Sequence, residues 1–285
     1  MAKVTAFSTK MILNIRGNLV ILDSPKVMGI INATPDSFYH GSRSLNETEV
    51  LKKTELMASE GAFIIDIGGY SSRPGADDLT EEEELNRVLP HIANIRKRFP
   101  ELYISIDTFR SKVAKEAILN GADVVNDISG GELDSIMFDT VAELQVPYVM
   151  MHMKGTPQDM NKQTNYKDLL ADIFLFFQRK VTELRQKGLK DIIIDPGFGF
   201  AKTMKQNYQV LGHLEFFKTL SVPLLVGLSR KSMIYKALET TPEEALNGTT
   251  ALNMVSLLRG ADILRVHDVK EAMETVKLFN LTYNN

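Results

Sequence analysis

Eight short apolar runs in this chain each stop on residues that carry charge or strong hydrogen-bonding groups. They end Gly-Ile-Ile-Asn32, Ile-Ile-Asp66, Ile-Ser-Ile-Asp107, Val-Val-Asn126-Asp127, Met150-Met151-His152, Ile-Ile-Ile-Asp195, Val-Gly-Leu-Ser229-Arg230-Lys231 and Leu-Arg265-Val-His267-Asp268. Carboxylates gathered in one place can accept paired N–H donors or stabilise a developing cation, and Arg, Lys and His can hold an anion. Arg265 and His267 are two apart, so on an extended strand they share a face and form a candidate anion clamp. Each residue alone also has a plain structural reading. A single Asp at a strand end caps a helix or forms a turn, and Asn126-Asp127 can be a satisfied turn. His152 reads first as a hydrogen-bonded wall residue, Arg265 as the partner of a rim carboxylate, and Glu81 to Glu84 as the solvated first turn of a helix. Recurrence of polar residues on the same end of all eight runs is what capping alone does not produce.

The elements that must position these residues follow from periodicity. The runs begin near Val27, Ala62, Leu102, Asp123, Val146, Asp191, Val222 and Asp262, and helix-like segments lie between them, such as Glu47 to Glu60, Glu81 to Arg98, Ser111 to Asn120, Tyr166 to Lys187 and Lys205 to Thr219. Runs such as Ile192-Ile193-Ile194 are apolar without alternation, as expected of parallel strands covered on both faces. Eight strand–helix units predict an α/β fold with a single (β/α)₈ TIM barrel, whose chemistry sits at the carboxyl ends of the strands. A doubly wound open sheet is the competing architecture, because strand count does not establish closure. Residues 1–25 contain two short strands, Ile12 to Ile15 and Leu19 to Leu22, around Arg16-Gly17-Asn18; this N-terminal hairpin is expected to plug the barrel bottom. No linker divides residues 1–285, which read as one domain.

Composition removes several function classes. Among 285 residues, 33 Lys plus Arg against 36 Asp plus Glu leave a net charge of −3, giving no basic excess for nucleic acid. With 44% hydrophobic and 24% charged residues the chain can bury a large core. There is no cysteine, hence no disulfide, thiolate metal site or cysteine nucleophile. The N-terminus lacks a secretory h-region, and nowhere do about 18 uncharged apolar residues run together, so a non-membrane, cytoplasmic protein is expected. Neither His-x-His on the first strand nor His-Glu-x-x-His appears, and Gly197-Phe198-Gly199 is too short to be a nucleotide-binding motif.

Taken in order, the motifs resemble those of the dihydropteroate synthase family of pterin-binding TIM barrels, from about Val27 to the end. The matching pieces are Met28-Gly-Ile-Ile-Asn32-Ala-Thr-Pro-Asp36-Ser-Phe38, Asp66-Ile-Gly-Gly-Tyr-Ser-Ser72-Arg73-Pro74-Gly75, Ser105-Ile-Asp107-Thr, Val125-Asn126-Asp127-Ile-Ser-Gly-Gly, Met151-His152-Met153-Lys-Gly, Asp195-Pro-Gly-Phe-Gly-Phe200, Ser229-Arg230-Lys231-Ser232 and Arg265-Val-His267. One such motif is weak; eight in order at the ends of predicted strands are specific.

The resemblance implies an enzyme of folate biosynthesis that condenses 6-hydroxymethyl-7,8-dihydropterin diphosphate with 4-aminobenzoate, releasing diphosphate by dissociative loss. It assigns Asp195 to the paired N–H edge of the pterin, Asn126 to its mixed edge, and Met151 to its ring face. Asp107 is the implied anion beside the pterin methylene cation, and Lys231 lies between the two substrates. Diphosphate would be held by Asn32, Arg73, Arg265 and His267, with Mg²⁺ bound partly through the Asn32 amide oxygen as the implied metal. Phe38, Ser72, Pro74, Phe200 and Ser232 would form the aminobenzoate subsite, its carboxylate facing the start of the helix that opens after Ser229. Loops 33–45 and 69–79 are expected to act as lids, and a homodimer is expected from the family.

Two residues depart from the commoner family pattern, Tyr70 for Glu and Ser72 for Thr. Ser72 keeps the hydroxyl and loses a methyl, which bears on the shape of the aminobenzoate pocket and its fit to sulfonamide-like analogues. The competing activities are a pterin-dependent methyltransferase, which needs neither diphosphate clamp nor aminobenzoate pocket, and a silent pterin-binding paralogue, which would be expected to lose clamp or lid residues. No second enzyme domain is read at either end, so a monofunctional protein is expected.

Overall fold

Parallel strands require crossovers, and here helices supply them. The computed structural model describes residues 11–33, 47–70 and 79–283. Ten strands are found there: β1 (Met11–Ile15), β2 (Asn18–Leu22), β3 (Lys26–Asn32), β4 (Ile64–Gly68), β5 (Tyr103–Asp107), β6 (Val124–Asp127), β7 (Tyr148–Met151), β8 (Ile192–Asp195), β9 (Leu225–Val226) and β10 (Ile263–Val266). The helices are α1 (Glu47–Ser59), α2 (Glu81–Arg98), α3 (Ser111–Leu119), α4 (Met137–Leu144), α5 (Leu169–Gln186), α6 (Met204–Gly212), α7 (Ser232–Tyr235), α8 (Leu246–Leu258) and α9 (Val269–Tyr283). Eight strands pair in parallel in the order β8-β7-β6-β5-β4-β3-β10-β9. A parallel bridge between Ile194 and Leu224, with the Ile194 N–H donating to the Pro223 carbonyl at 3.0 Å, joins the last strand to the first and closes the ring. Closure decides for the barrel against the open sheet.

The strands are buried along nearly their whole length, yet their two faces differ. Ile65, Ile67, Ile104, Ile106, Val125, Ile192, Ile194 and Leu264 pack outward against the helices. Met28, Ile64, Val124, Val149, Ile193, Leu225 and Ile263 point inward and form one apolar layer at the barrel floor. Because side chains alternate along a strand, the next inward positions after Ile64, Val124, Val149, Ile193, Leu225 and Ile263 are Asp66, Asn126, Met151, Asp195, Gly227 and Arg265. The polar layer is thus built directly on the apolar one.

The expected hairpin caps the floor from below. β1 and β2 pair antiparallel from Met11↔Leu22 to Ile15↔Asn18. The turn places Arg16 at φ 55° and Gly17 at φ 78°, the left-handed pair that suits a two-residue hairpin loop. Leu13, Ile15 and Leu22 join the floor layer, while Ile12, Leu19 and Ile21 face solvent. The Asn14 N–H donates to Asp191 Oδ1 at 2.8 Å, and Arg16 Nη1 donates to the Pro100 carbonyl at 2.8 Å, pinning the hairpin to the lower loops.

Some element limits differ from the sequence reading. The helix expected from Tyr166 starts at Leu169, because the Asp168 side chain accepts the Ala171 N–H and caps it there. The segment 205–219 divides into α6 and a 3₁₀ stretch, Leu214–Leu220, at His213. Helix α2 opens with a Thr80–Glu83 capping box, but Glu84 does not belong to a solvated turn: it is fully buried and paired with Arg110. No helix among the described residues is long and apolar enough to cross a membrane.

Candidate active site

At the carboxyl end of the barrel, inward residues of five strands meet. Arg265 on β10 donates from Nε to Asp66 Oδ2 at 2.6 Å and from Nη2 to Asp107 Oδ2 at 2.6 Å. Asn126 on β6, in register with Asp107 on β5, donates from Nδ2 to the same Asp66 oxygen at 3.0 Å. Asp195 on β8 is buried and accepts the Gly197 N–H at 2.8 Å, with its charge facing Lys231. Two glycines border these charged side chains: a Cβ at Gly227 would stand 3.7 Å from both Arg265 Cβ and Asp195 Oδ2, and one at Gly68 would stand 3.7 Å from Asp107 Oδ2.

Crowding these charges away from water shifts their acidities. Burial pushes the Asp107 carboxyl up to about 7 against the opposing pull of Arg265, and the charges of Asp66, Glu84 and Asp127 push the same way. Burial also raises Asp195, opposed by Lys231. Lys231 is lowered to about 8 by burial, against the pull of Asp195. The mouth therefore holds carboxyls that are harder to ionise and an ammonium that is easier to neutralise than in water, as is common where such groups do chemistry.

Lys231 precedes α7 and hydrogen-bonds the Phe198 carbonyl, with its Nζ 4.8 Å from the centre of the Phe200 ring. The loop carrying Phe198 and Phe200 is fixed by Lys202, whose buried ammonium donates to the carbonyls of Gly197 at 3.0 Å and Phe200 at 3.1 Å and sits 3.1 Å from His152 Nδ1. Burial lowers Lys202 to about 7. Gly197 has φ 72° and a Cβ there would lie 2.2 Å from the His152 carbonyl oxygen, so this turn requires glycine. Phe200 and Met151 pack in a rim cluster with Phe109, Ile128, Met153 and Met160.

The plain structural readings sort themselves by side-chain direction. His152 is a wall residue, edge-on to Phe176 with ring centres 4.9 Å apart, and burial keeps its imidazole neutral. Asp127 points outward and closes a turn, accepting the Ser129 N–H and hydroxyl, the Gly131 N–H and the Tyr148 hydroxyl at 2.7–2.8 Å. Asn126 does not share that turn; it faces the mouth. Arg265 does pair with rim carboxylates, and no Nη1 hydrogen bond is found among the described residues. His267 lies one residue beyond β10, its Nδ1 3.0 Å from Ser229 Oγ. Burial and the nearby guanidinium of Arg265 lower it to about 4, so at neutral pH it is an uncharged donor or acceptor beside a cation. Arg230 turns away to clasp Asp268 with Nε at 2.8 Å and Nη2 at 2.7 Å.

The remaining sequence-predicted residues stand as follows. Asn32 ends β3 with an exposed side chain, and Ser232 is the first residue of α7. That helix is only four residues long, so the expected help of a helix dipole for an anion reduces to its individual N–H groups. Phe38, Ser72, Arg73 and Pro74 lie outside the described residues, as do most of the two expected lid loops. Tyr70 is at the edge of the second loop, where Gln158 Nε2 donates to its hydroxyl at 2.8 Å and its ring meets Phe109 edge-on. Three groups escaped the sequence reading as parts of this site. Asp66 was legible only as a strand end; Glu84 read as part of a solvated helix turn, and nothing marked its partner Arg110 or Lys202.

The family model of pterin binding enzymes matches residues 28–267. Dihydropteroate synthase of Escherichia coli K12 is 40% identical over 269 residues, covering 94% of this chain and 95% of its own, and that of Bacillus subtilis is 40% identical over 286 residues, covering 100% and 98%. The chain belongs to the dihydropteroate synthase family of pterin-binding enzymes. Solved dihydropteroate synthases share the fold closely. The Yersinia pestis enzyme in a sulfonamide drug complex superposes with a TM-score of 0.91 at 39% identity, covering 96% of this chain and all of the other. The Xanthomonas albilineans enzyme with 4-aminobenzoic acid gives 0.89 at 37% identity, covering 96% and 98%. As a dihydropteroate synthase family member the chain is a pterin-binding transferase of folate synthesis, with the mouth residues above at the end where barrel enzymes do their chemistry.

Proposed function

We propose that this dihydropteroate synthase joins 6-hydroxymethyl-7,8-dihydropterin diphosphate to 4-aminobenzoate, breaking the C–O bond to diphosphate first and then forming the C–N bond at the pterin methylene. The observation that carries this reading is the meeting of buried Asn126 and Asp195 with half-buried Asp107, Lys231 and Arg265 at one barrel mouth. Asp195 is a desolvated carboxylate suited to the two adjacent N–H donors of a pterin's guanidine-like edge. Asn126 presents its Oδ1 and second N–H to the mixed edge, and Met151 packs on the ring. Lys231 reaches the pterin carbonyl from its place beside Phe200.

Loss of diphosphate leaves positive charge on the methylene, and Asp107 provides a fixed anion beside it. That anion is worth more in the transition state than in the neutral ground state, which is the requirement for a rate effect. This arrangement of charge supports a dissociative step, since the mouth offers an anion for a cation and cations for the leaving group. Arg265 and His267 at the rim, with Arg73 of the second loop, hold diphosphate as its charge grows. The aminobenzoate amine attacks the methylene from the open side and releases one N–H proton as the C–N bond forms, with Phe200 and Ser232, and by family resemblance Phe38, Ser72 and Pro74, assigned to its ring and carboxylate.

Among the described residues no three His, Cys, Asp or Glu side chains group as metal ligands. The exposed Asn32 amide oxygen fits Mg²⁺, which takes few protein ligands and fills its shell with phosphate oxygens and water. When bound it would neutralise diphosphate charge. A homodimer is supported by apolar side chains left on the outer face of α8 and α9, with Leu258, Leu278 and Leu281 49–59% exposed.

The test is diphosphate release from the purified protein given the pterin diphosphate and Mg²⁺, with and without 4-aminobenzoate, while chromatography follows the coupled product. Diphosphate and dihydropteroate appearing together support the reaction. Pterin binding without either product points to a silent paralogue, and absence of pterin binding overturns the reading.

A further inference from the structure

Asp66 sits at the centre of the mouth with no solvent exposure, and its bonding is lopsided. Oδ2 accepts from Asn126 Nδ2 at 3.0 Å and from Arg265 Nε at 2.6 Å, and it stands in an ion pair 2.6 Å from Arg265 Nη2. Oδ1 is buried and has no partner among the described residues. On the neighbouring strand Ser105, in register with Asp66, is equally buried and its Oγ also has no partner there. Burying a carboxylate costs several kcal/mol, and a buried ion pair is seldom a net gain over well-packed apolar side chains. The layer immediately below is wholly apolar, so packing alone gives no reason for Asp at this position.

We propose that Asp66 is a positioning residue of the condensation, a single anionic oxygen that fixes both the orientation of the Asn126 amide and the place of the Arg265 guanidinium. A carboxylate only accepts hydrogen bonds, so the Asn126 amide must turn its nitrogen toward Asp66. Its oxygen and second N–H are then committed to the ligand, and the flipped amide, which would present the wrong pattern to a heterocycle edge, is excluded. The same oxygen draws Arg265 toward the barrel axis, where its Nη2 also meets Asp107. Arg265 is thereby shared between two carboxylates, and Asp107 keeps only part of its counter-charge.

This deepens the proposed reaction and rests on it, so wild-type turnover is measured first. The pH profile of kcat/KM is then compared for wild type, Asp66→Asn, Asp107→Asn and the double variant. The charged groups acting on Asp107 are Asp66 on β4, Glu84 on α2, the outward-pointing Asp127 on β6, Lys231 before α7 and Arg265 on β10; of these only Asp66 is changed. Without the Asp66 charge, and with Arg265 left to Asp107 alone, the acid limb governed by Asp107 should move to lower pH by about one unit or more. At pH 8 kcat/KM should fall by about ten- to a hundredfold, with KM for the pterin substrate rising as the Asn126 amide is released. The loss should be markedly smaller in the Asp107→Asn background. An acid limb that stays in place with losses that multiply independently would assign Asp66 a merely structural part and overturn the proposal. Should Asp66→Asn not fold, Asp66→Ser is read the same way. Inactive wild type would instead count against the reaction itself.

Discussion

Replacing Asp107 by Asn separates electrostatic catalysis from structural pairing, because the two predict opposite changes in stability. The carboxyl is raised from its ordinary 3.8 to about 7, burial outweighing the pull of Arg265. A folded-state value above the unfolded one means the native protein binds more protons between these limits, so stability is lost as pH rises from about 4 through about 7. At 1.36 kcal/mol per unit the ionised carboxylate costs the native state up to roughly 4 kcal/mol at pH 8. The side chain is 21% exposed, and water screening lowers the expected figure to about 1–2 kcal/mol. Asn mimics the neutral acid and leaves Arg265 paired with Asp66. Asp107→Asn should therefore be more stable than wild type at pH 8, melting about 2–8 °C higher, and indistinguishable from it near pH 4. The same variant should lose turnover by ~10²–10³, as for removal of one preorganised group. Thermal melts across pH 4–8 read the first effect and steady-state rates the second. A variant less stable at pH 8, or one whose difference from wild type grows on acidification, would make Asp107 a structural partner of Arg265 and refute the reasoning.

Other perturbations test other parts of the site. Arg265→Ala should weaken the pterin diphosphate far more than plain hydroxymethylpterin in titration calorimetry; equal weakening of both would contradict the clamp. Lys231 loses its charge as pH rises through about 8, so a basic limb of kcat/KM should appear there and shift upward in Lys231→Arg; a limb unmoved by the change belongs to another group. Chelation of Mg²⁺ should slow diphosphate release, and Asn32→Ala should raise the Mg²⁺ needed by about tenfold or more, an unchanged requirement excluding the amide as ligand. Ile15→Ala, at a fully buried hairpin position, should cost about 2–4 kcal/mol in urea unfolding while leaving kcat at 25 °C unaltered, because the floor plug is remote from the mouth.

Much of the fold was legible because the physics that shapes it is local. Eight apolar runs separated by helical periods left few arrangements, and the Arg16-Gly17 turn between two alternating segments announced the hairpin. Strand faces were less visible where both are buried: Ile64 to Gly68 is buried at every position, and only the barrel reveals that Ile64, Asp66 and Gly68 point inward. The same blindness hid Glu84, whose neighbours Glu82 and Glu83 are solvated while it turns beneath Arg110. It also hid Lys202, an ordinary lysine by composition, placed by the chain's path against His152 and two carbonyls.

The sequence by itself determined which residue types end each strand, since alternation and the placement of polar residues after an apolar layer depend only on neighbours in the chain. It determined the family too, through eight ordered motifs. Only the tertiary structure decided closure, through the Ile194–Leu224 bridge between segments thirty residues apart. It alone brought Asp66 and Arg265, 199 positions apart in sequence, within 2.6 Å. Burial and charge sharing at that distance depend on where distant strands lie, and it is they that lift Asp107, lower Lys231 and commit the Asn126 amide.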